Sequence, residues 1–295
     1  MNGRTRGVRL TNMAAAMDLS TLALPRFIEE VRAVAPPPGQ AFDLEWIPDG
    51  RTTLLFRAIE GGRKGDVWVA GPRTRALLKS KTGVARTVTL RFKPGWSAPL
   101  LGVAASELTD RIAPLEDVWG RAGRELCGEL LAARSRADVM DRIARAFALR
   151  AGQPFETASG QLARRAVRLL EDGEVRVERV AGRLGVTARH LRRAFAENVG
   201  IGPKEFARAV RLQRAVRMAA TSCDWARIAA DAGYYDQAHL IADFRQLVGL
   251  TPGAFCKRAG GRMTQPNPST SDSSLPVRPF AATCAREQAA WGSGA

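Results

Sequence analysis

The chain says one thing twice. VERVAGRLGVTARHLRRAF, residues 177–195, and WARIAADAGYYDQAHLIADF, residues 225–244, share a skeleton of small, apolar and capping positions. Val180-Ala181 and Gly185 are answered 48 residues later by Ile228-Ala229 and Gly233. From the next turn onward the offset is 49: Thr187 is answered by Asp236, His190-Leu191 and Phe195 by His239-Leu240 and Phe244, and Gly200, Pro203 and Phe206 by Gly249, Pro252 and Phe255. One residue has been inserted in the second turn. An internal repeat of this length is one supersecondary unit used twice, which constrains the fold more tightly than any single motif.

Each copy has a helix–turn–helix grammar. A short apolar-periodic segment stops at Gly185 or Gly233, and a second helix opens on a residue able to cap it, Thr187 or Asp236. In the first copy Leu191, Ala194 and Phe195 share a face, with Arg189, Arg192 and Arg193 largely off it. Gly202-Pro203 then opens a long helix to about Ala220, with proline at a first-turn position where its missing N–H costs nothing. Eighteen residues at about 1.5 Å each span roughly 27 Å, compatible with holding two second helices one DNA turn, about 34 Å, apart. Leu191, Phe195, Leu240, Phe244, Trp225 and Tyr234 are expected in the core. The chain's only two histidines, His190 and His239, occupy equivalent places, so they read as products of the repeat rather than as metal ligands or proton carriers.

Charge agrees. Lys and Arg number 45 against 29 Asp and Glu, a formal net charge of +16, so polyanions are the natural partners, nucleic acid before a membrane surface. The basic residues lie along capped helices rather than in Lys-rich tails, which argues against a nonspecific architectural protein. No run of eighteen apolar residues occurs, so no bilayer span is expected. MAAAMDLSTLAL near the start reads as a frayed terminus, and the default location is cytoplasmic. Cys127, Cys223, Cys256 and Cys284 form no C-x-x-C pair, which argues against a zinc site or a disulfide framework. They read as small core residues, with Cys284 a free thiol in the tail.

These motifs resemble the DNA-binding domain of the AraC/XylS family of bacterial transcription regulators. The resemblance covers residues 161–258 and implies two helix-turn-helix units joined by one long helix, reading two successive major grooves. The DNA-binding residues it implies are Thr187, Arg189, His190, Arg192 and Arg193 in the first unit, with Asp236, Gln237 and His239 in the second. The second unit departs from the family at Ala242, where arginine is usual. The N-terminal half is similar to the sensor domain of some of these regulators, through PDG at 48–50, GP at 71–72, RFKPG at 91–95 and APLLGVAASELTDRIAPLEDVWG at 98–120. That likeness implies a cupin-like barrel followed by helices. Barrels of this kind in enzymes hold metal through histidines, and none occurs before His190.

The expected class is therefore α+β: a β-rich sensor or dimerisation domain with helices at its end (1–150), a linker (151–160), the double helix-turn-helix domain (161–258) and a disordered tail (259–295). Short apolar or alternating runs between 42 and 92 read as strands, and the pattern turns helical from about 114. Trp46, Phe56, Trp68, Phe92 and Trp96 read as core aromatics rather than the lining of a ligand cavity. The expected partners are promoter or operator DNA, a small-molecule effector, a second copy of the chain paired through the helices at 114–149, and RNA polymerase. No cofactor, metal or catalytic residue is expected. The alternative is an enzyme, of the DNA-repair type, that uses the helical module as a tether to DNA.

Overall fold

The computed structural model describes residues 8–9, 26–37, 42–151 and 156–260. The N-terminal stretch read as frayed, Cys284 and the tail from 261 onward lie outside the described residues.

The architecture is α+β. Its first part is built on a five-stranded antiparallel sheet of β2 (Ile28–Val34), β4 (Thr53–Ile59), β5 (Lys64–Ala70), β7 (Val84–Phe92) and β8 (Ile112–Pro114), in the order β2-β7-β4-β5-β8. A smaller sheet joins β1 (Val8–Arg9), β3 (Phe42–Trp46) and β6 (Leu77–Lys81), with β1 and β3 parallel. The central strand β4, TLLFRAI, is apolar almost throughout because both of its faces are covered. In β7, Val88, Leu90 and Phe92 are buried while Arg91 is not, and Leu54 and Phe56 of β4 stand opposite Leu90 and Val88.

Four helices complete this part: α1 (Ser97–Leu101), α2 (Leu115–Trp119), α3 (Arg121–Ala132) and α4 (Arg136–Ala151). Their apolar stripes meet Leu54, Phe56, Leu90 and Phe92 in one cluster that includes Leu115, Trp119, Leu126, Leu130, Ile143 and Phe147. Phe147 packs edge-on against Phe92 and Trp119, with centroids 5.6 and 5.3 Å away, geometry favoured by the ring quadrupole. On the other sheet face, Leu55 and Val84 gather Val34, Trp46, Ile59 and Trp68 into a small second cluster. The five aromatics thus pack in cores, as their spacing suggested.

The second part begins with α5 (Ala158–Glu171), whose cap is Thr157: its hydroxyl accepts from the Gly160 N–H at 3.0 Å. It is followed by α6 (Val177–Arg183), α7 (Ala188–Val199), α8 (Pro203–Met218), α9 (Trp225–Ala232), α10 (Gln237–Val248) and α11 (Pro252–Gly260). Two clusters divide these helices. One gathers Leu162, Val180, Leu191, Phe195 and Phe206, the other Leu212, Ile228, Tyr234, Leu240 and Phe244. The helix α8 contributes to both, so it is the shared spine of the two units. At 16 residues it is about 24 Å long.

Cysteine placement corrects one expectation. Cys127 and Cys256 are half-buried, but Cys223 is exposed. It lies in the turn between α8 and α9, where no core closes over it. Burial pushes the neighbouring Cys256 thiol up from its ordinary pKa.

The two parts are tied at several points. The Gln213 amide of α8 donates to the Pro48 carbonyl at 2.9 Å. The Thr109 hydroxyl donates to the Gly200 carbonyl at 2.6 Å, and the Ala76 N–H to the Leu247 carbonyl at 2.7 Å. The Arg164 guanidinium lies 3.8 Å over the Trp96 ring and donates to the Gly95 carbonyl at 3.3 Å. The motifs PDG, GP and RFKPG, with the stretch from 98 to 120, are thus among the segments that pack against the helical part.

Gly200 shows how closely. Its φ of +92° is left-handed, and a Cβ there would fall 2.5 Å from Pro72 Cγ and 2.7 Å from the Ala105 carbonyl oxygen. Gly185 also has positive φ, +70°, but its Cβ would meet nothing within 4 Å. Gly185→Ala should therefore cost only the left-handed strain, about 1–2 kcal/mol. Gly200→Ala should cost more, because backbone of the first part must move. Thermal melts of the two variants of the full chain check this; equal losses would mean that the contact between the parts contributes nothing.

Candidate nucleic-acid interface

The first unit is α6, the turn at Gly185 and α7. Thr187 caps α7 by accepting the His190 N–H at 3.2 Å, which satisfies one of the unpaired donors of the first turn. Leu191, Ala194, Phe195, Asn198 and Val199 are buried, so the rest of the helix is forced outward. Arg189, His190, Arg192 and Arg193 are all exposed. Arg192 is paired with Glu178 of α6 at 3.0 Å. That pair is solvent-exposed, and such pairs contribute only about 0–1 kcal/mol, so Arg192 exchanges it cheaply for a stronger acceptor.

The second unit is α9, the turn at Gly233 and α10. Asp236 caps α10 through the His239 N–H at 2.7 Å. Gln237 is exposed beside the cap. His239 differs from His190: it is half-buried, its ring meets Tyr234 edge-on at 5.2 Å, and its Nδ1 accepts from the Tyr235 N–H at 3.4 Å. It holds the turn, whereas His190 faces solvent. Burial pushes the Tyr234 phenol above its ordinary pKa.

α10 is fixed to the spine by a carboxylate. Asp243, only 7% exposed, lies 2.7 Å from Arg208 and 3.7 Å from Arg211, both on α8. Arg208 also donates to the Gln246 side chain at 2.6 Å. The Asp243 Oδ2 and the Arg211 Nε have no hydrogen-bond partner, so Arg211 acts on the carboxylate by charge alone.

The structure brings the two sets of sequence-selected residues to the N-terminal ends of two equivalent helices, on their outward faces except for His239, which packs against Tyr234. It also shows a residue that sequence reasoning missed. Tyr235 is 93% exposed, beside the Asp236 cap. The signal for it was the change of offset from 48 to 49, since Tyr234 fills the core place next to the turn and Tyr235 is the extra residue.

A cleft of about 210 Å³ lies where the two parts meet, lined by Pro48, Arg73, Arg75, Glu205, Arg208 and Gln246 among others. None of the five core aromatics lines it. Among the described residues no group of three or more His, Cys, Asp or Glu stands close enough to hold a metal ion, and no helix is long and apolar enough to cross a membrane.

Comparison with known proteins finds a family match in each part of the chain. Residues 180–258 match the family described as "Helix-turn-helix domain", and residues 21–114 match "Domain of unknown function (DUF6597)". A probable bifunctional transcriptional activator/DNA repair enzyme AlkA of Mycobacterium tuberculosis is 35% identical over 137 residues, which are 44% of this chain and 28% of the relative. The match therefore spans little more than a quarter of the length of the curated relatives. Among solved structures, an AraC-type transcriptional regulator from Chromobacterium violaceum is 23% identical with a TM-score of 0.33, covering 37% of this chain and all of the other. Fatty-acid-bound ToxT from Vibrio cholerae is 11% identical with a TM-score of 0.40, covering 78% of this chain and 94% of the other. The chain thus carries a helix-turn-helix domain at its C-terminal end, behind a separate N-terminal domain.

Proposed function

We propose that the protein is a sequence-specific DNA-binding transcription regulator that acts in the cytoplasm and carries no catalytic step of its own. The observation that supports this most is the pair of capped helices on one spine, each with an exposed outward face, in a chain of net charge +16. Such helices enter the major groove by their N-terminal ends. Thr187, Arg189, His190, Arg192 and Arg193 face one groove and Asp236, Gln237 and His239 the next. Arg189 and Arg192 are the base readers, because a guanidinium matches guanine O6 and N7 bidentately. Arg193 takes phosphate, and Thr187 and Asp236 shape the helix starts.

The part through residue 150 senses a small molecule or pairs with a second copy, and the DNA-binding part follows it with α5, Ala158–Glu171, as its first helix rather than starting at 161. The apolar faces of α3 and α4 are already buried against the chain's own sheet, so a pairing contact there uses their polar outward sides. The relative's name joins transcription activation to DNA repair; the shared 137 residues are compatible with either use of a DNA-binding module.

The test is selection of bound sequences from random DNA, followed by footprinting with the full chain. The expected result is one nonpalindromic site of about twenty base pairs per protomer, since two helices one turn apart cover that length. Affinity should fall steeply with salt as counterions are released from the phosphates. Protection confined to half a turn, or no enriched sequence, overturns the reading.

A further inference from the structure

Over their first two turns the two outward faces are chemically opposite. With the offset of 49, Arg189, Arg192 and Arg193 of α7 correspond to Ala238, Ile241 and Ala242 of α10. All three guanidinium positions have become aliphatic. Ala238 and Ala242 are exposed, Ile241 is half-buried, and all three lie opposite the buried Leu240, Asp243, Phe244 and Leu247. Tyr235 extends this surface at the N-terminal end of the helix, beside the exposed amide of Gln237.

In the major groove only one base presents an apolar group, the C5 methyl of thymine, and aliphatic side chains recognise it by contact. These aliphatic side chains offer no donor for guanine O6 or N7 and no acceptor for the cytosine amino group, and the guanidinium of this face, Arg245, stands in the last turn of α10, away from the end that enters the groove. A side-chain amide, by contrast, matches adenine N6 and N7. We propose that the second unit is a reader of thymine methyls: Ala238, Ile241 and Ala242 contact successive methyl groups, the Tyr235 ring covers the outermost, and Gln237 takes an adenine of the same half-site. The protein then reads a composite site, guanine-selective under α7 and thymine-rich under α10. This inference rests on the function proposed above.

The test leaves the protein unchanged. In the site enriched from random DNA, each thymine of one half-site is replaced in turn by uracil, which removes only the methyl group. Binding of the full chain is followed by fluorescence anisotropy. In the half-site under α10, each contacted thymine should lose about fourfold in affinity, the factor that corresponds to one buried methyl. Replacement under α7 should change nothing. In Ile241→Ala the uracil penalty at one position should fall towards one. Tyr235→Ala should bind several-fold less, because its ring makes the contact. If an enriched site exists but uracil is silent under α10, the methyl reading is overturned while the regulator stands. If no sequence is enriched, the proposed function itself fails.

Discussion

Replacing Asp243 by alanine should destabilise the second helix-turn-helix unit by about 3 kcal/mol, the lower end of the range for removing one partner of a buried ion pair. The lower end applies because the Arg208 and Arg211 side chains keep 22% and 17% of their exposure and water screens part of the charge left behind. The loss arises from two guanidiniums stranded between α8 and α10 more than from the missing attraction. An apolar triple replacement, Asp243→Leu with Arg208→Met and Arg211→Met, should therefore regain much of the stability that the single change loses. Asp243→Asn should fall between, since an amide oxygen still accepts from Arg208. Denaturant melts of the full chain provide the measurement, and DNA footprints should show protection lost first under α10. If Asp243→Ala changes stability by less than about 1 kcal/mol, the surface-pair value, the carboxylate is not the clamp described.

Removing Arg189 and Arg192 together should abolish discrimination at the half-site under α7. Each bidentate contact is worth about 1–3 kcal/mol against the wrong base, so the pair is worth roughly 2–6 kcal/mol if the two act independently. Among the described residues Arg189 makes no ion pair, whereas Arg192 leaves Glu178. Arg189→Ala should consequently cost at least as much as Arg192→Ala, and Glu178→Ala should leave binding unchanged or strengthen it. Arg193→Ala should act differently, weakening all sequences alike and reducing the salt dependence by about one counterion. Specificity profiles of the variants on random DNA distinguish these outcomes. An Arg189, Arg192 double variant that retains its preference at the half-site under α7 would place the reading residues of that half-site elsewhere.

The helical part was legible because the chain states it twice. The repeat supplied the boundaries of α7 and α10, their caps and the buried pairs Leu191 with Phe195 and Leu240 with Phe244, and no single propensity had to be trusted. The strands were less legible. FDLEWI, TTLLF, DVWVA and ARTVTLRF correspond to β3, β4, β5 and β7, but β2 and β8 lie outside the stretch that read as strand. In β2, IEEVRAV, an irregularity between Ile28 and Glu30 breaks the alternation that would have marked it. β8 is three residues held by pairing with β5, which no local pattern announces.

The site was legible as a set of positions, not as environments. Nothing in the phrase shared by His190 and His239 tells that one faces solvent and the other props a turn; the difference comes from Tyr234, whose ring needs a neighbour once it is buried. The turns at PDG, GP and RFKPG could be read as turns, but their packing against the helical part is a long-range fact. Gly50 illustrates it: a Cβ there would meet the Phe206 ring at 2.4 Å, across more than 150 residues of sequence.

The ends of α7 and α10 are both fastened to the N-terminal part, Gly200 through Thr109 and Leu247 through Ala76. A frame that holds two probes in this way has a preferred rotational phase as well as a spacing. B-form DNA repeats every 10–10.5 base pairs, so one base pair added between the half-sites turns one groove by about 35° away from its probe. Overwinding or underwinding the duplex does the same without changing the sequence. Promoter torsion thereby becomes an input to binding, and a small shift of the strands and loops that carry Ala76 and Thr109 would retune which superhelical density fits best.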